Sequence, residues 1–122
     1  MNLRNDMIVS GENLISEVES QFFKLFPFLH LEFYHKGEIV QRQGTHLGLK
    51  SIAKKMVLEP FTIIPEMSVH ELETFFWENM GIQVSVFRKV GNSMLETSFT
   101  SSWTLKHQNN KGSELEQDFA SK

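Results

Sequence analysis

The chain has 122 residues, a length that suits one domain able to bury roughly 65% of its unfolded surface without disulfides or metals. It contains no cysteine, which excludes thiol catalysis, thiolate–zinc sites and disulfides. Its formal net charge of −3 provides no overall basic field for nucleic acid or anionic lipid. The polar N-terminus is followed by no apolar run of signal-peptide or membrane-spanning length, so we expect a soluble, cytoplasmic protein.

The first part of the chain predicts a helix and then a strand. Ser10 is a suitable N-cap for a helix that continues to about Phe26, where Pro27 ends it. Apolar residues recur along this helix at helical spacing. Over residues 29–34, apolar and polar residues alternate, which predicts a strand with one buried face.

The segment 38–60 has the least regular pattern. Residues 38–43 can pair back onto the preceding strand as a hairpin, and residues 49–56 can form one or two helical turns. Pro60 cannot donate a hydrogen bond to a strand ladder. The pattern therefore restricts the next strand to Phe61–Ile64.

The clearest local signal is a helix start at Ser68. Ser68 and Glu71 have the spacing of a capping box, and Met67 and Leu72 are placed to form a hydrophobic staple across it. Gly81 is a natural left-handed C-cap. These residues predict a helix that begins at Ser68 and ends near Gly81.

A β-hairpin and a short helix are predicted after this helix. Strands over residues 82–89 and 94–100 flank a turn at Gly91–Asn92. A capped start near residue 102 predicts a short C-terminal helix to about residue 110, with Gly112 as its stop.

Together these elements predict a single α+β domain over residues 1–122, with flexible residues 1–9 and 113–122. The expected architecture is a two-layer sandwich, in which a four- to five-stranded mixed sheet carries its helices mainly on one face. The strand and helix order is compatible with a β-grasp-like sheet and with other two-layer sandwiches. The sequence shows no internal repeat.

The residue patterns that carry catalysis or bind metals are not found. His30 and His35 are five residues apart on a strand and point to opposite faces. His70 lacks the second histidine that a zinc helix needs four positions later, where Thr74 stands. No serine lies in a nucleophile elbow, and no phosphate loop or dinucleotide fingerprint is present. We therefore expect no metal and no cofactor, and the sequence favours a binding module over an enzyme.

Apolar side chains on both faces of the predicted hairpin indicate a surface for protein association. The leading hypothesis is a homodimer or a small subunit of a larger assembly, and nucleic acid is not favoured because the basic footprint is weak. The candidate contact residues are Trp77, Phe87, Arg88, Gly91 and Asn92.

The alternative hypothesis is a small-molecule-binding domain or a small enzyme. Its pocket would lie near residues 35–58, between the sheet and the irregular segment. His35, Arg42 and His46 would supply the polar groups.

Three segments resemble a group of small uncharacterised bacterial proteins: Ile63–Glu73, Met80–Arg88 and Trp103–Asn109. The resemblance covers about residues 60–112 and implies a strand–helix–strand unit, a Phe-Arg hairpin and a turn centred on tryptophan. The group has no assigned activity, so the resemblance implies no catalytic residue.

Overall fold

The structure, a computed structural model, describes residues 6–120, with side chains as far as residue 117. Within this part of the chain it contains three α-helices and six strands, an α+β fold. In chain order they are β1 (Met7–Val9), α1 (Ile15–Leu25), β2 (Leu29–His35), β3 (Glu38–Ile39), β4 (Phe61–Ile63), α2 (Val69–Met80), β5 (Gln83–Val90), β6 (Ser93–Glu96) and α3 (Leu105–Ala120). Short 3₁₀ turns lie at Arg42–Gly44, Leu49–Ser51 and Ser98–Thr100. None of the described helices is both long and apolar enough to span a membrane.

Every strand pair is antiparallel, so the predicted mixed sheet is wrong. β1 and β4 form a separate two-stranded sheet, and the other strands form a four-stranded sheet in the order β3-β2-β5-β6. The strand after Pro60 joins β1 rather than the larger sheet, because the N-terminal residues 7–9 supply an antiparallel partner for it. The predicted sandwich and grasp-like arrangements remain predictions.

The chain folds as two units that repeat the same order of elements, although no internal repeat is visible in the sequence. Residues 7–51 (the first unit) and residues 61–107 (the second unit) each contain a strand, a helix, a two-stranded hairpin and two further turns, the last of which continues as α3 in the second unit. The helix starts are anchored alike. The amide N–H groups of Ile15 and Val69 donate to the carbonyls of Leu47 and Trp103, respectively.

The strand registers show that the two units are related by an approximate two-fold exchange. Ile8 lies opposite Thr62 at the centre of the β1–β4 ladder. Leu31 lies opposite Val86 in the β2–β5 ladder. Ile8 and Thr62 are equivalent residues of the two units, and so are Leu31 and Val86. A two-fold rotation that exchanges the units therefore maps each ladder onto itself.

The repeat is carried by buried positions rather than by sequence identity. Phe22 and Phe76 are both fully buried at equivalent positions of α1 and α2. The Phe76 ring meets the rings of Phe33 and Phe61 edge-to-face, with centroids 5.5 and 4.9 Å apart. Apolar residues of different kinds satisfy the other core positions, so the sequence hides the duplication.

Helix α1 begins at Ile15 and not at the predicted cap Ser10. The residues before the helix form their own turn, in which the Ser10 N–H donates to Asn13 Oδ1 at 2.8 Å. The helix start is instead held by Glu17, whose carboxylate accepts from the Leu14 N–H at 2.7 Å. Local side-chain bonding of Ser and Asn competes with helix formation in this way.

Helix α2 has the predicted boundaries. Ser68 Oγ accepts from the Glu71 N–H at 3.0 Å, and the Glu71 carboxylate accepts from the Ser68 N–H at 2.9 Å. Gly81 ends the helix with a φ of +65°, a left-handed conformation that suits glycine. The capping box therefore fixes the helix locally.

The hairpin has its predicted tip at Gly91–Asn92, but its second strand ends at Glu96. Thr97 turns the chain inward, because its N–H and its hydroxyl both donate to the Val86 carbonyl, at 3.1 and 2.8 Å. The predicted strand residues 98–100 form a 3₁₀ turn instead.

Helix α3 passes through Gly112, so the predicted stop is wrong and the helix is longer than expected. The helix lies against Phe28: a Cβ at position 112 would be 2.7 Å from the Phe28 Cβ. Gly112 thus serves close packing rather than termination. Of the predicted flexible tails, residues 1–5 and 121–122 lie outside the described residues.

Candidate functional site

Strand β6 is an edge strand whose four side chains are all exposed. Met94 and Leu95 are 50% and 48% exposed and point to opposite faces of the sheet, since they lie opposite Lys89 and Arg88. In the described chain, β6 pairs only with β5. An exposed apolar edge of this kind is a template for pairing with another strand.

A cavity of about 340 Å³ opens beside β6, between α2 and residues 96–101. We call it the α2–β6 cavity. Glu73 and Trp77 lie one helical turn apart and therefore face it from the same side of α2. The complete lining is Glu73, Trp77, Gln83, Val84, Ser85, Glu96, Ser98 and Ser101.

The α2–β6 cavity is electrostatically negative. Burial raises the pKa of the Glu73 carboxyl above its usual range; His70 lowers this pKa and the neighbouring Glu96 raises it. Neither carboxylate has a salt bridge to a lysine or arginine within the described residues. Within the described residues, the charge is therefore left without a lysine or arginine partner.

Ser85 lies at the floor of the cavity with an exposed fraction of only 8%. Its hydroxyl forms no hydrogen bond within the described chain, and it is not among the fully enclosed polar atoms left without a partner. The hydroxyl is therefore open to the cavity. A group in the cavity would satisfy this hydroxyl.

The equivalent place in the first unit has different side chains. Glu19 is the counterpart of Glu73, and burial raises its pKa as well, with His30 lowering this pKa and Glu32 raising it. His30 stands where the second unit has Ser85, and its Nε2 contacts the Glu32 carboxylate. The second unit has no imidazole at this strand position, where Ser85 stands.

The structure places four of the five predicted contact residues near β6. Phe87 lies opposite Glu96 on the outer face of the hairpin, and Gly91 and Asn92 form its tip. Trp77 is 49% exposed and lines the α2–β6 cavity together with Glu96 of the hairpin.

Arg88 is separated from the other four and lies against α3. Its Nη1 donates to Gln108 Oε1 at 3.1 Å, and its guanidinium lies 5.8 Å from the Trp103 ring centroid. Gln108 is fully buried and donates to the Thr100 carbonyl at 2.8 Å. Arg88 therefore takes part in holding α3 to the sheet.

The residues of the alternative pocket are all exposed. His35 ends β2, Arg42 begins a 3₁₀ turn and His46 follows that turn. None of the three lines the α2–β6 cavity. Residues 6–120 contain no group of three His, Asp or Glu side chains that could hold a metal ion.

Comparisons with protein-family models, curated proteins and solved structures find no match to this chain. The resemblance to small uncharacterised bacterial proteins thus stays a prediction. Sequence reasoning missed the α2–β6 cavity, since Glu73 and Glu96 look like ordinary surface acids. Ser85 gives no signal at all, because a serine on a strand is common.

Proposed function

We propose that the protein is a non-enzymatic association module that forms a homodimer through strand β6. The observation that supports this function is the exposed apolar edge formed by Met94 and Leu95. Pairing of two such edges would join two four-stranded sheets into one continuous sheet.

The hairpin register determines which backbone groups of β6 are free for a second strand. Val90 and Ser93 face each other across the two-residue turn. The backbone groups of Ser93 therefore point toward β5, and those of Met94 and Glu96 point outward. These outward donors and acceptors are the ones that a second copy would pair with.

A two-fold axis at Met94 gives a self-complementary antiparallel pair. Met94 then lies against its own counterpart in the second copy, and Asn92 lies against the counterpart of Glu96. The Asn92 amide can donate to that carboxylate. A second copy therefore satisfies both the apolar and the polar groups of this edge.

The opposite edge of the sheet is protected. β3 has only two residues, Glu38 and Ile39, and the turn that precedes it contains Lys36. Short length and flanking charge are features that discourage edge pairing. The dimer is therefore proposed at β6 and not at β3.

Sedimentation velocity tests the dimer over a range from about 10 µM to about 1 mM, because a four-residue strand buries less than a standard interface and weak association is expected. We expect the sedimentation coefficient of the unmodified chain to rise with concentration. Met94→Lys should abolish the rise, since two ammonium groups would meet at the axis. Ile39→Lys, the equivalent change on β3, is the matched control and should leave the rise unchanged.

A constant monomer mass over the whole range contradicts the proposed homodimer, as does equal dimerisation of the Met94→Lys variant. Circular dichroism and thermal unfolding of both variants verify that they fold. Both substituted side chains are exposed, so we expect their melting temperatures to stay close to that of the unmodified protein.

A further inference from the structure

We propose that the α2–β6 cavity binds the ammonium group of an alkylamine, with Glu73, Glu96 and Ser85 as its polar partners and Trp77 as its aromatic wall. This site lies beside the backbone edge that pairs in the proposed dimer, and the two share the Glu96 side chain. The two proposals are tested by different measurements.

The charge of the cavity selects a cation. Two carboxylates, from Glu73 and Glu96, border the same space, and no lysine or arginine lines it. Each carboxylate can accept a charge-assisted hydrogen bond, the stronger kind of hydrogen bond in proteins. An ammonium group has three donors and no acceptor, which matches two carboxylates and one free hydroxyl.

The hydroxyl of Ser85 distinguishes this place from an ordinary pair of surface acids. Ser85 is 8% exposed as a whole residue and lines the cavity, and its hydroxyl forms no hydrogen bond within the described chain. A donor from a bound ammonium group would satisfy it. In the first unit, the imidazole of His30 stands at the position equivalent to Ser85 and contacts the Glu32 carboxylate.

The aromatic wall favours an organic cation over a metal ion. The Trp77 ring already has the Lys54 ammonium 5.2 Å from its centroid, and Lys54 lies outside the cavity lining. Indole is the aromatic side chain that attracts cations most strongly. The volume of about 340 Å³ leaves room for the alkyl chain that an amine carries.

Titration of the ¹⁵N-labelled full chain followed at the two indole N–H resonances tests the site, since the chain has only two tryptophans. The probes are 1,5-diaminopentane and Nα-acetyl-lysine N-methylamide, and pentane-1,5-diol is the uncharged control of equal length. We expect a saturable shift of the Trp77 resonance with amine and none with the diol. Binding of the free diamine alone indicates a small-molecule ligand, and comparable binding of the lysine derivative indicates a lysine side chain of a peptide.

The same glutamate-to-glutamine change in each unit locates the site, and a change at Ser85 adds a third variant. Glu73→Gln keeps the side-chain size and should weaken amine binding by about tenfold or more, because it removes a charged acceptor. Glu19→Gln makes the same change at the equivalent position of the first unit and should leave binding unchanged. Ser85→His places the first unit's side chain in the cavity and should abolish binding.

Three results would overturn the proposal. The diol could shift the Trp77 resonance as strongly as the amines, or Glu19→Gln could weaken binding as much as Glu73→Gln. Calcium chloride, at matched ionic strength, could also displace the amine and produce the same shift, which would make the cavity a metal site. The readout is the Trp77 resonance, whereas the dimer is measured as mass, so failure of one proposal is distinguishable from failure of the other.

Discussion

The two units share the same order of elements but differ in the place where the helix, α1 or α2, faces the strand β2 or β5. In the first unit, Glu19 has His30 and Glu32 beside it, and these two side chains contact each other. In the second unit, Glu73 faces Ser85 across an open space. The strand position that carries His30 in the first unit thus carries the smaller Ser85 where the second unit has its cavity.

The outer edges of the two units differ in the same direction. The hairpin of the first unit ends in the two-residue β3, which follows a turn that contains a lysine. The hairpin of the second unit ends in the four-residue β6, which has two half-exposed apolar side chains. The first unit thus has the features of a structural half. The second carries both the edge and the cavity on which the proposed functions depend.

The largest difference that we can test lies between the equivalent core residues Phe22 and Phe76. Each change to alanine should lower the free energy of unfolding by about 3–5 kcal/mol. Phe76→Ala should be the costlier, because Phe76 packs edge-to-face on Phe33 and Phe61, whereas among the described residues the Phe22 ring pairs with Phe26 only, at 5.1 Å. Urea denaturation at unchanged m-value measures both, and a larger loss for Phe22→Ala would contradict this ranking.

A smaller effect concerns α3, which the first unit replaces with the single turn Leu49–Ser51. Gly112→Ala should destabilise the protein by about 1–3 kcal/mol, because the new methyl group would overlap the Phe28 side chain. An exposed helix position gives the reverse expectation, since alanine is the better helix former. Asn110→Ala, on an exposed position of α3, is therefore the control. Equal or higher stability of Gly112→Ala would show that α3 does not pack closely on Phe28.

The smallest expected effect is a difference between Glu71 and Glu73 of α2, whose contributions to stability change with pH in opposite directions. Burial raises the pKa of Glu73, so its ionised form destabilises the folded state above that pKa. Glu73→Gln should raise the melting temperature at pH 7, and the gain should shrink as the pH falls through the folded-state pKa. Glu19→Gln should change stability in the same direction, because burial also raises the pKa of Glu19.

Glu71 gives the opposite sign and serves as the internal control. The hydrogen bond from the Ser68 N–H lowers the pKa of Glu71, so its ionised form stabilises the folded state above the unfolded value of about 4.3. Glu71→Gln should lower the melting temperature at pH 7, and the loss should vanish as the pH falls through the depressed pKa. Melting curves from pH 7 to about pH 3 measure both cases. Parallel curves for Glu71→Gln and Glu73→Gln would disprove the distinction.

Local chemistry made some elements predictable. Ser68, Glu71 and Gly81 specify the ends of α2, and Gly91–Asn92 specifies the hairpin tip, because each of these features depends on residues within a few positions of one another. The start of α1 was not predictable in this way. Ser10 has the chemistry of a cap, but its turn with Asn13 uses the same groups.

Of the residues at the two proposed sites, the sequence singled out Trp77 and the hairpin residues but not the acids and the serine of the cavity. Trp77, Phe87 and the Gly91–Asn92 tip were identified from apolar patterning, and they lie on or beside the β5–β6 hairpin. Arg88 was grouped with them, but its contacts with Gln108 and Trp103 come from residues distant in the chain. The cavity was missed, because Glu73, Ser85 and Glu96 meet only after three elements have packed.

The sequence by itself determined the α+β class, the capped helix α2, the tight hairpin and the absence of thiol chemistry, because these follow from composition or from short-range hydrogen bonding. Tertiary structure alone decided the pairing of β1 with β4, the passage of α3 through Gly112 and the two-fold relation of the units. Each of these depends on burial and close approach between distant segments. Many apolar side chains satisfy burial equally well, so the sequence does not have to repeat for the fold to do so.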